Sequence, residues 1–429
     1  MITMKRVATL LCAATIVGLP LAATAQAAEE ATVVEQVQSE QVTDGTPSEE
    51  LQNEDVKILT LGDVIQRAIN NDQNLVVMQF ELEALKNQAL DVAYDKRDAQ
   101  KDIRDFERKL DRLKDQRDRL KDPSQAADRI ANGQQRIAIN DALEALDDQI
   151  TALENAMKQL ESGQVQLKLQ EEEVKEGITL KLTSTYSGLL SLQQQMDFTK
   201  KAIQTSKNDV KKAEKLYQYG AGSKDAVDQA KKEQINAEKQ LEQQQKNYNH
   251  DLAALAFDIN VNYTPDLQVT PVDIDVTAPS TGESYDSIIE GTFQMKRVKD
   301  SLELAKYNRD ETYADEDASQ YAKDQQDSKV KAAEQTIEKL HKELTTKIET
   351  LHHNEDTAFF NYEEAVRKLE DVKTDLTKLE KRYRFGIVPK HDYEKAKMQL
   401  EQSTLQVEIT KMQYFMTQKS IEALNKGYI

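Results

Sequence analysis

The sequence predicts an all-α protein of elongated, duplicated long-helix hairpins, with little or no β structure. Turn-forming residues are scarce, because the 429 residues include only 13 Gly and 7 Pro, well below the usual shares of about 7% and 5%. Hydrophobic residues make up 38% of the chain, and many recur in heptad stripes. This combination favours a few long helices over sandwiches, propellers or doubly wound α/β folds.

The first 58 residues are predicted to lie outside the helical fold. Residues 1–27 are typical of a secretory signal peptide, with Lys5 and Arg6 before a short apolar run and an A-x-A cleavage motif. The chain's single cysteine, Cys12, lies in this segment, so no disulfide is expected in the mature protein. Residues 28–58 are acidic and unpatterned, which predicts a disordered leader. We therefore expect an exported protein of the cell envelope or a secreted protein, not a cytoplasmic one.

The first helical repeat is predicted over residues 59–264, with Thr60 as the N-cap of its first helix. Within it, residues 95–173 carry two heptad seams separated by a break near residues 122–133. This pattern predicts an antiparallel coiled-coil hairpin, whose second helix runs from about residue 135 to residue 219. The seams consist of Ile103, Phe106, Leu110, Leu113 and Leu120, and of Ile139, Leu143, Leu146, Ile150, Leu153, Met157 and Leu160.

Residues 265–283 are predicted to be a Pro-containing linker between the two repeats, with a short extended piece near residues 267–276. The second helical repeat is predicted over residues 284–429. Within it, residues 309–326 are acidic and lack an apolar pattern, so a loop or frayed turn is expected there. The heptad pattern then resumes and continues to a second helical reversal.

The two repeats share a turn. The letters YQYGAGSK at residues 217–224 align with YRFGIVPK at residues 383–390, an offset of 166. Glycine suits the left-handed cap of a helix C-terminus, Ser223 suits an N-cap, and Pro389 suits a first helical position. The residues proposed to dock a partner are Tyr217, Gly220, Gly222, Ser223, Lys224, Tyr383, Gly386, Pro389 and Lys390. The alternative, that the glycines only cap helices and the tyrosines only pack, remains open.

Together these features resemble the TolC family of outer membrane efflux proteins. The resemblance covers residues 59–424 and depends on the opening LTLGDVIQRAINNDQNL, the two turns, the duplication and the linker. It implies that three chains form an α-helical tunnel whose turn-bearing tip contacts the periplasmic adaptor of an exporter. In that family, strands between the helices form a membrane barrel. Residues 95–173 and 308–330 show no such strand pattern, so we expect coiled coil and connector in their place, which argues against outer-membrane embedding.

The predicted function is that of a TolC-like extracytoplasmic component of an efflux or export system, which forms or docks to a helical duct. The expected partners are further copies of the chain, as a trimer, together with an adaptor protein and a pump of the inner or cytoplasmic membrane. A structural coiled-coil scaffold or spacer of the cell envelope is the alternative. A membrane-fusion adaptor is a third hypothesis, but it would require Gly-rich β lipoyl halves that we do not find.

Other function classes lack support in the sequence. The net charge of −19 argues against a nucleic-acid partner, since phosphate binding requires a basic face. Phosphate-loop, nucleophile-elbow, HExxH and EF-hand motifs do not occur, so we expect neither an enzyme nor a cofactor. His352 and Asp356 lie four residues apart and could share a metal, but a solvated helix face is the simpler interpretation. No metal site is therefore expected.

Overall fold

A computed structural model describes residues 56–279 and 284–429. The predicted signal peptide and all but the last three residues of the predicted leader lie outside this part. The described helices are α1 (Leu61–Asn71), α2 (Gln73–Arg119), α3 (Ala126–Gln218), α4 (Lys224–Asp258), α5 (Tyr285–Gly291), α6 (Phe293–Ala314), α7 (Gln320–Arg384) and α8 (Lys390–Asn425). Two short strands, β1 (Ile58–Leu59) and β2 (Gln268–Val269), accompany them. The predicted all-α fold is confirmed.

Polar side chains fix where most of these helices begin. Thr60 accepts a hydrogen bond from the backbone N–H of Asp63, as predicted. Asp72 and Thr292 cap α2 and α6 in the same way and separate them from α1 and α5. Such a cap satisfies one of the free backbone N–H groups in the first helical turn.

The helices lie side by side in a single layer, and the neighbours of each long helix change along its length. The 93-residue α3 is about 140 Å long at 1.5 Å per residue. The first half of α3 lies between α2 and α6, as the Lys96–Glu154 and Ser162–Asp300 contacts show. Its second half lies between α4 and α8. The 65-residue α7 packs against α6 and then against α8.

The α2–α3 reversal is shorter than predicted. The chain turns at Pro123–Gln125, where Asp122 and Gln125 form a capping box, and α3 already begins at Ala126. Gly133 therefore lies inside a helix, although the sequence analysis placed it in the break. Glycine in a helix costs only about 1 kcal/mol relative to alanine, and packing against α2 outweighs that cost. The neighbouring Asn132 is buried and donates a hydrogen bond to the Leu113 carbonyl at 2.9 Å.

The expectation of a loop over residues 309–326 is wrong for most of that segment. Helix α6 continues to Ala314, and α7 begins at Gln320. Across the reversal, the Tyr313 hydroxyl donates to Asp327 at 2.9 Å and Lys323 Nζ lies 5.7 Å from the Tyr313 ring centroid. The acidic side chains are largely solvated on the outside of these helices, so the missing apolar pattern did not mean a missing helix.

The largest buried cluster forms where the linker crosses the helices. Strand β2, in the linker, pairs in parallel with β1, and the predicted extended piece is thus confirmed. The buried Tyr186 hydroxyl lies 2.9 Å from the Leu59 carbonyl oxygen and 2.7 Å from that of Thr270. Burial raises the pKa of this hydroxyl, so it stays protonated and can donate. The cluster includes Val64, Leu182, Leu189, Leu252, Leu255, Ile259, Leu267 and Ile274.

A second buried cluster lies within the second repeat. It joins α5, α6, α7 and the end of α8 through Ile288, Ile289, Met295, Leu344, Ile348 and Leu424. The linker itself contacts α8 where the Tyr414 hydroxyl donates to the Thr277 carbonyl at 2.5 Å. The linker is therefore anchored to α3 at one end and to α8 at the other, which ties the two repeats into one body.

Candidate docking site at the helical turns

The first turn reverses the chain between α3 and α4 through a Schellman motif. The Ala221 N–H donates to the Leu216 carbonyl at 2.8 Å, and the Gly220 N–H donates to the Tyr217 carbonyl at 3.0 Å. Gly220 has a φ of 71°, the left-handed conformation that this motif requires. The predicted glycine cap is confirmed here.

The second turn, between α7 and α8, repeats the same geometry. The Ile387 N–H donates to the Arg382 carbonyl and the Gly386 N–H to the Tyr383 carbonyl, both at 2.9 Å. Gly386 has a φ of 72°. Because the two turns share these bonds and dihedral angles, the sequence duplication is also a structural one.

The helices that leave the turns begin differently. Ser223 accepts a hydrogen bond from the Ala226 N–H at 3.1 Å, so its predicted N-cap role is confirmed. Pro389, predicted to be the first helical residue of α8, is instead its N-cap residue, with a ψ of 150°. The helix begins one residue later, at Lys390. Proline has no side-chain hydrogen-bonding group, so this cap makes no side-chain bond.

The two tyrosines of the motif have different surroundings. Tyr383 stacks on Tyr393 with ring centroids 4.8 Å apart and an angle of 8° between the rings. Lys397 Nζ lies 4.5 Å from the centroid of the Tyr393 ring. Tyr217, in contrast, is half exposed. Tyr383 therefore has a packing role, whereas Tyr217 presents much of its ring to solvent.

Gly222 and its counterpart Val388 also differ. Val388 is buried in the second turn. At Gly222, a Cβ atom would lie 3.1 Å from the Leu216 Cβ and 3.2 Å from the Tyr217 nitrogen. Contacts this short mean that the first turn has room for glycine without local adjustment, but not for a larger residue.

Both turns lie at the same end of the helical layer, but they are staggered. Asp209 Oδ1 lies 3.2 Å from His391 Nδ1, and Lys201 pairs with Glu401 at 2.7 Å. Asp209 lies eleven residues before Gly220, whereas His391 lies five residues after Gly386. The same count from Lys201 and Glu401 gives four residues, so the second turn is set back by four to six residues, roughly 6–9 Å along the helices.

The apex of each turn carries a large exposed side chain that the sequence analysis did not single out. Tyr219 is 84% exposed, and Phe385, its counterpart, is 81% exposed. Ile387 is 64% exposed beside Phe385. The available signal was position, since each aromatic residue directly precedes a left-handed glycine, where the helix ends. Lys224 and Lys390 are exposed as well, and neither forms an ion pair within residues 56–279 and 284–429.

The histidine considered as a metal ligand has other partners. His352 Nδ1 lies 3.6 Å from Glu355 Oε2, and its ring stacks on Tyr285 at 5.8 Å. Glu355 is buried, and burial raises the pKa of its carboxyl group. The described residues contain no group of three or more His, Cys, Asp or Glu side chains placed to hold a metal ion.

Over residues 56–279 and 284–429, no helix combines the length and the apolar composition needed to span a bilayer.

Comparison with known proteins gives matches in structure only. No family model and no curated protein matches the sequence. One match is CusC, a protein whose crystal structures concern the conformational changes that accompany folding and transmembrane channel formation. It aligns with a TM-score of 0.55 and 11% identity over 86% of this chain and 92% of CusC. A membrane protein from Pseudomonas aeruginosa aligns with a TM-score of 0.54 and 9% identity over 86% of this chain and 90% of that one.

The outer-membrane channel OprN also aligns, with a TM-score of 0.51 and 11% identity over 83% of this chain and 89% of OprN. At such identities the likeness concerns the fold. The duplicated hairpins, the glycine turns and the linker are the features on which the sequence resemblance depended. The chain therefore has the fold of the TolC-family outer-membrane channels.

Proposed function

We propose that this protein is an extracytoplasmic component of an efflux or export system, which forms or docks to a helical duct and carries no chemistry of its own. The observation that carries the proposal is a single layer of helices with unpaired edges. Helices α2 and α4 form one edge of the layer, and α7 forms the other. A duct forms when such edges of neighbouring copies meet and close into a ring.

Exposed apolar side chains on both edges support this closure. The α2–α4 edge carries Val77, Phe80, Leu90, Tyr94 and Ile235, and α7 carries Tyr321, Phe360 and Val366. Isolated exposed apolar residues need no explanation, but the series Val77, Phe80, Leu90 and Tyr94 on α2 is typical of an interface. Because the two edges differ, the contact would be head-to-tail, which closes a ring only at a fixed number of copies. The resemblance gives that number as three.

Mass measurement by light scattering tests the ring. The exported form of the chain is expected to have three times its monomer mass. Replacing Phe80 and Phe360 by Asp should release monomers, because it places charges in both edges. The matched control is Ile130→Asp, which also replaces an exposed apolar residue but lies far along the α2–α3 hairpin. A wild-type protein that stays monomeric at high concentration would contradict the duct.

The turn end is the proposed docking end, with an adaptor protein and a membrane pump as its partners. Lys224 and Lys390 are exposed and unpaired in the described residues, so each is available to a partner. Replacing both by Glu should impair export and leave helicity and thermal stability unchanged. Normal export by the double variant, or the lack of an export defect on deleting the gene, would remove the docking role.

The α2–α3 hairpin supports the second candidate function, a scaffold or spacer of the cell envelope. Tyr307 on α6 lies beside Glu154 and Lys158 of α3, and α6 ends seven residues later. About twenty residues of α3, roughly 30 Å, therefore continue past the α6–α7 reversal with α2 as their neighbour. A monomer with no export phenotype, whose hairpin nevertheless binds another envelope component, would favour this function.

A further inference from the structure

The turn end is basic in an otherwise acidic protein. We define this end as residues 207–232 and 378–397, which surround the two turns. These segments contain 14 Lys and Arg residues and 7 Asp and Glu residues, whereas the whole chain has a net charge of −19. The excess of positive charge is therefore local, and it belongs to both repeats.

Many of these positive charges are free to meet a ligand. Lys207, Lys231, Lys378 and Arg384 pair with neighbouring carboxylates. In the described part of the chain, no ion pair involves Lys211, Lys212, Lys215, Lys224, Lys232, Lys381, Arg382, Lys390 or Lys395, all of which are exposed. Unpaired surface cations attract an anionic surface without first breaking existing contacts.

The apex residues add an apolar contribution to this charge. Tyr219, Phe385 and Ile387 project from convex turns and are mostly exposed. Exposed aromatic and aliphatic side chains surrounded by Lys and Arg are characteristic of segments that enter the interfacial layer of a membrane. Convex apices of this kind can enter a soft lipid surface without a preformed pocket.

We propose that the turn end binds an anionic lipid surface, with its cations over the headgroups and its apex side chains in the interfacial layer. The inference rests on the proposed function in taking this end as the docking end, and it names the membrane itself as a partner. Because the first turn extends roughly 6–9 Å beyond the second, Tyr219 enters the interface ahead of Phe385.

Vesicle co-sedimentation with the exported full chain tests the proposal. Phosphatidylcholine vesicles are compared with vesicles in which about a third of the lipid is phosphatidylglycerol, at low and at physiological salt. Binding is expected only to the anionic vesicles and is expected to weaken as salt screens the charges. Equal binding to both kinds of vesicle would overturn the electrostatic contact.

Charge variants locate the contact. Replacing Lys215, Lys224, Lys381 and Lys390 by Gln should lower binding about fivefold for each lysine, from the usual contribution of a cation near an anionic bilayer. Replacing Lys86, Lys101, Lys114 and Lys121 by Gln, on α2 and just after it, removes the same charge far from the turns. An equal loss in the two variants would show a net-charge effect and overturn the assignment to the turn end.

Apex variants test the apolar contribution. Tyr219→Ser is expected to weaken binding more than Phe385→Ser does, because the first turn lies further out. The control is Phe257→Ser, since Phe257 is 85% exposed at the end of α4, away from the turns. If neither apex variant weakens binding more than the control, no side chain enters the interface.

The outcomes separate this inference from the duct. A trimer that fails to bind anionic vesicles overturns the lipid contact and leaves a protein partner for the turns. A monomer that binds anionic vesicles through the turn end retains the lipid contact and overturns the duct.

Discussion

The two ends of the helical layer differ in how closely the repeats agree. At the turn end, both repeats reverse through the same Schellman hydrogen bonds, with φ angles of 71° and 72° at the glycines. At the opposite end, α2–α3 reverses through a short turn at Pro123–Gln125, whereas α6–α7 reverses at residues 315–319. The α2–α3 hairpin also extends roughly 30 Å beyond the α6–α7 reversal.

The difference follows from what fixes each reversal. A Schellman turn is held by bonds within six residues, so a copied sequence reproduces it. The length of a coiled-coil hairpin depends only on how far its apolar seam continues, because each added heptad brings its own buried pair. The two copies could therefore diverge in hairpin length and still keep their turns.

A charge in the α2–α3 seam should have the largest effect, because it should destabilise the hairpin end and leave the turn end unchanged. Leu146→Asp buries a carboxylate in the half-buried seam and removes an apolar contact, at a cost of roughly 3 kcal/mol. Hydrogen exchange should accelerate over residues 97–149 and stay unchanged at the turns. Gln149→Asp, at an exposed position of the same helix, is the control. Acceleration spread over the whole chain would show that the hairpin is not an independent unit.

Substitution of a turn glycine should destabilise the turn end. Gly220→Val or Gly386→Val forces a β-branched residue into the left-handed region and should cost more than about 1 kcal/mol in the free energy of unfolding. Gly188→Ala is the control, because Gly188 is exposed within α3 and has open space around it. That change should be neutral or slightly stabilising. Thermal denaturation of the three variants measures the difference, and equal melting temperatures would contradict the strain.

The linker ties the two repeats together, and its anchors should have a smaller effect. Tyr186→Phe removes the hydroxyl between the Leu59 and Thr270 carbonyls and should cost about 1 kcal/mol. Tyr414→Phe, which loses the bond to Thr277, should behave alike. Tyr219→Phe changes a hydroxyl on a side chain that is 84% exposed and should leave the denaturation midpoint unchanged. An unaltered midpoint in Tyr186→Phe would mean that the strands hold the linker alone.

The smallest expected effect is a pH dependence in the second repeat. Burial raises the pKa of Glu355, and the nearby charge of Asp356 raises it further. His352 lowers this pKa, but the net shift is upward. Because the folded-state pKa lies above the unfolded value, the stabilising contribution is complete below the unfolded pKa. It is lost as pH rises through the folded pKa. Glu355→Gln should therefore raise the melting temperature at neutral pH and flatten its pH profile. Asp371→Gln, on the exposed face of α7, should do neither.

Local patterns accounted for much of the fold. The seams predicted for residues 103–120 and 139–160 lie at the α2–α3 contact, where most of their members are at least half buried. Thr60 and Ser223 are N-caps, as their residue type indicated. Each of these features depends on bonds or contacts within one or two turns of helix, and for that reason it could be predicted from the sequence.

The errors and omissions have a common cause. Gly133 and the acidic residues 309–326 were expected outside helices, because local composition there opposes a helix or gives no apolar signal. Packing against a neighbouring helix outweighed that preference. A further pair of duplicated helix ends was missed. Asn260 after α4 has a φ of 53°, and Gly427 after α8 has a φ of 102°, with matching bonds from Val261 to Ala256 and from Tyr428 to Ala423.

The helices, the duplication and the two glycine turns could be predicted from local residue patterns, because backbone hydrogen bonds and heptad seams act over short distances. Packing between distant segments sets the stagger of the turns, the exposure of Tyr219 and Phe385, the burial of Glu355 and the anchoring of the linker by Tyr186 and Tyr414. These properties depend on how α3, α7 and α8 lie against one another, and contacts between residues distant in the sequence leave no periodic trace in the chain.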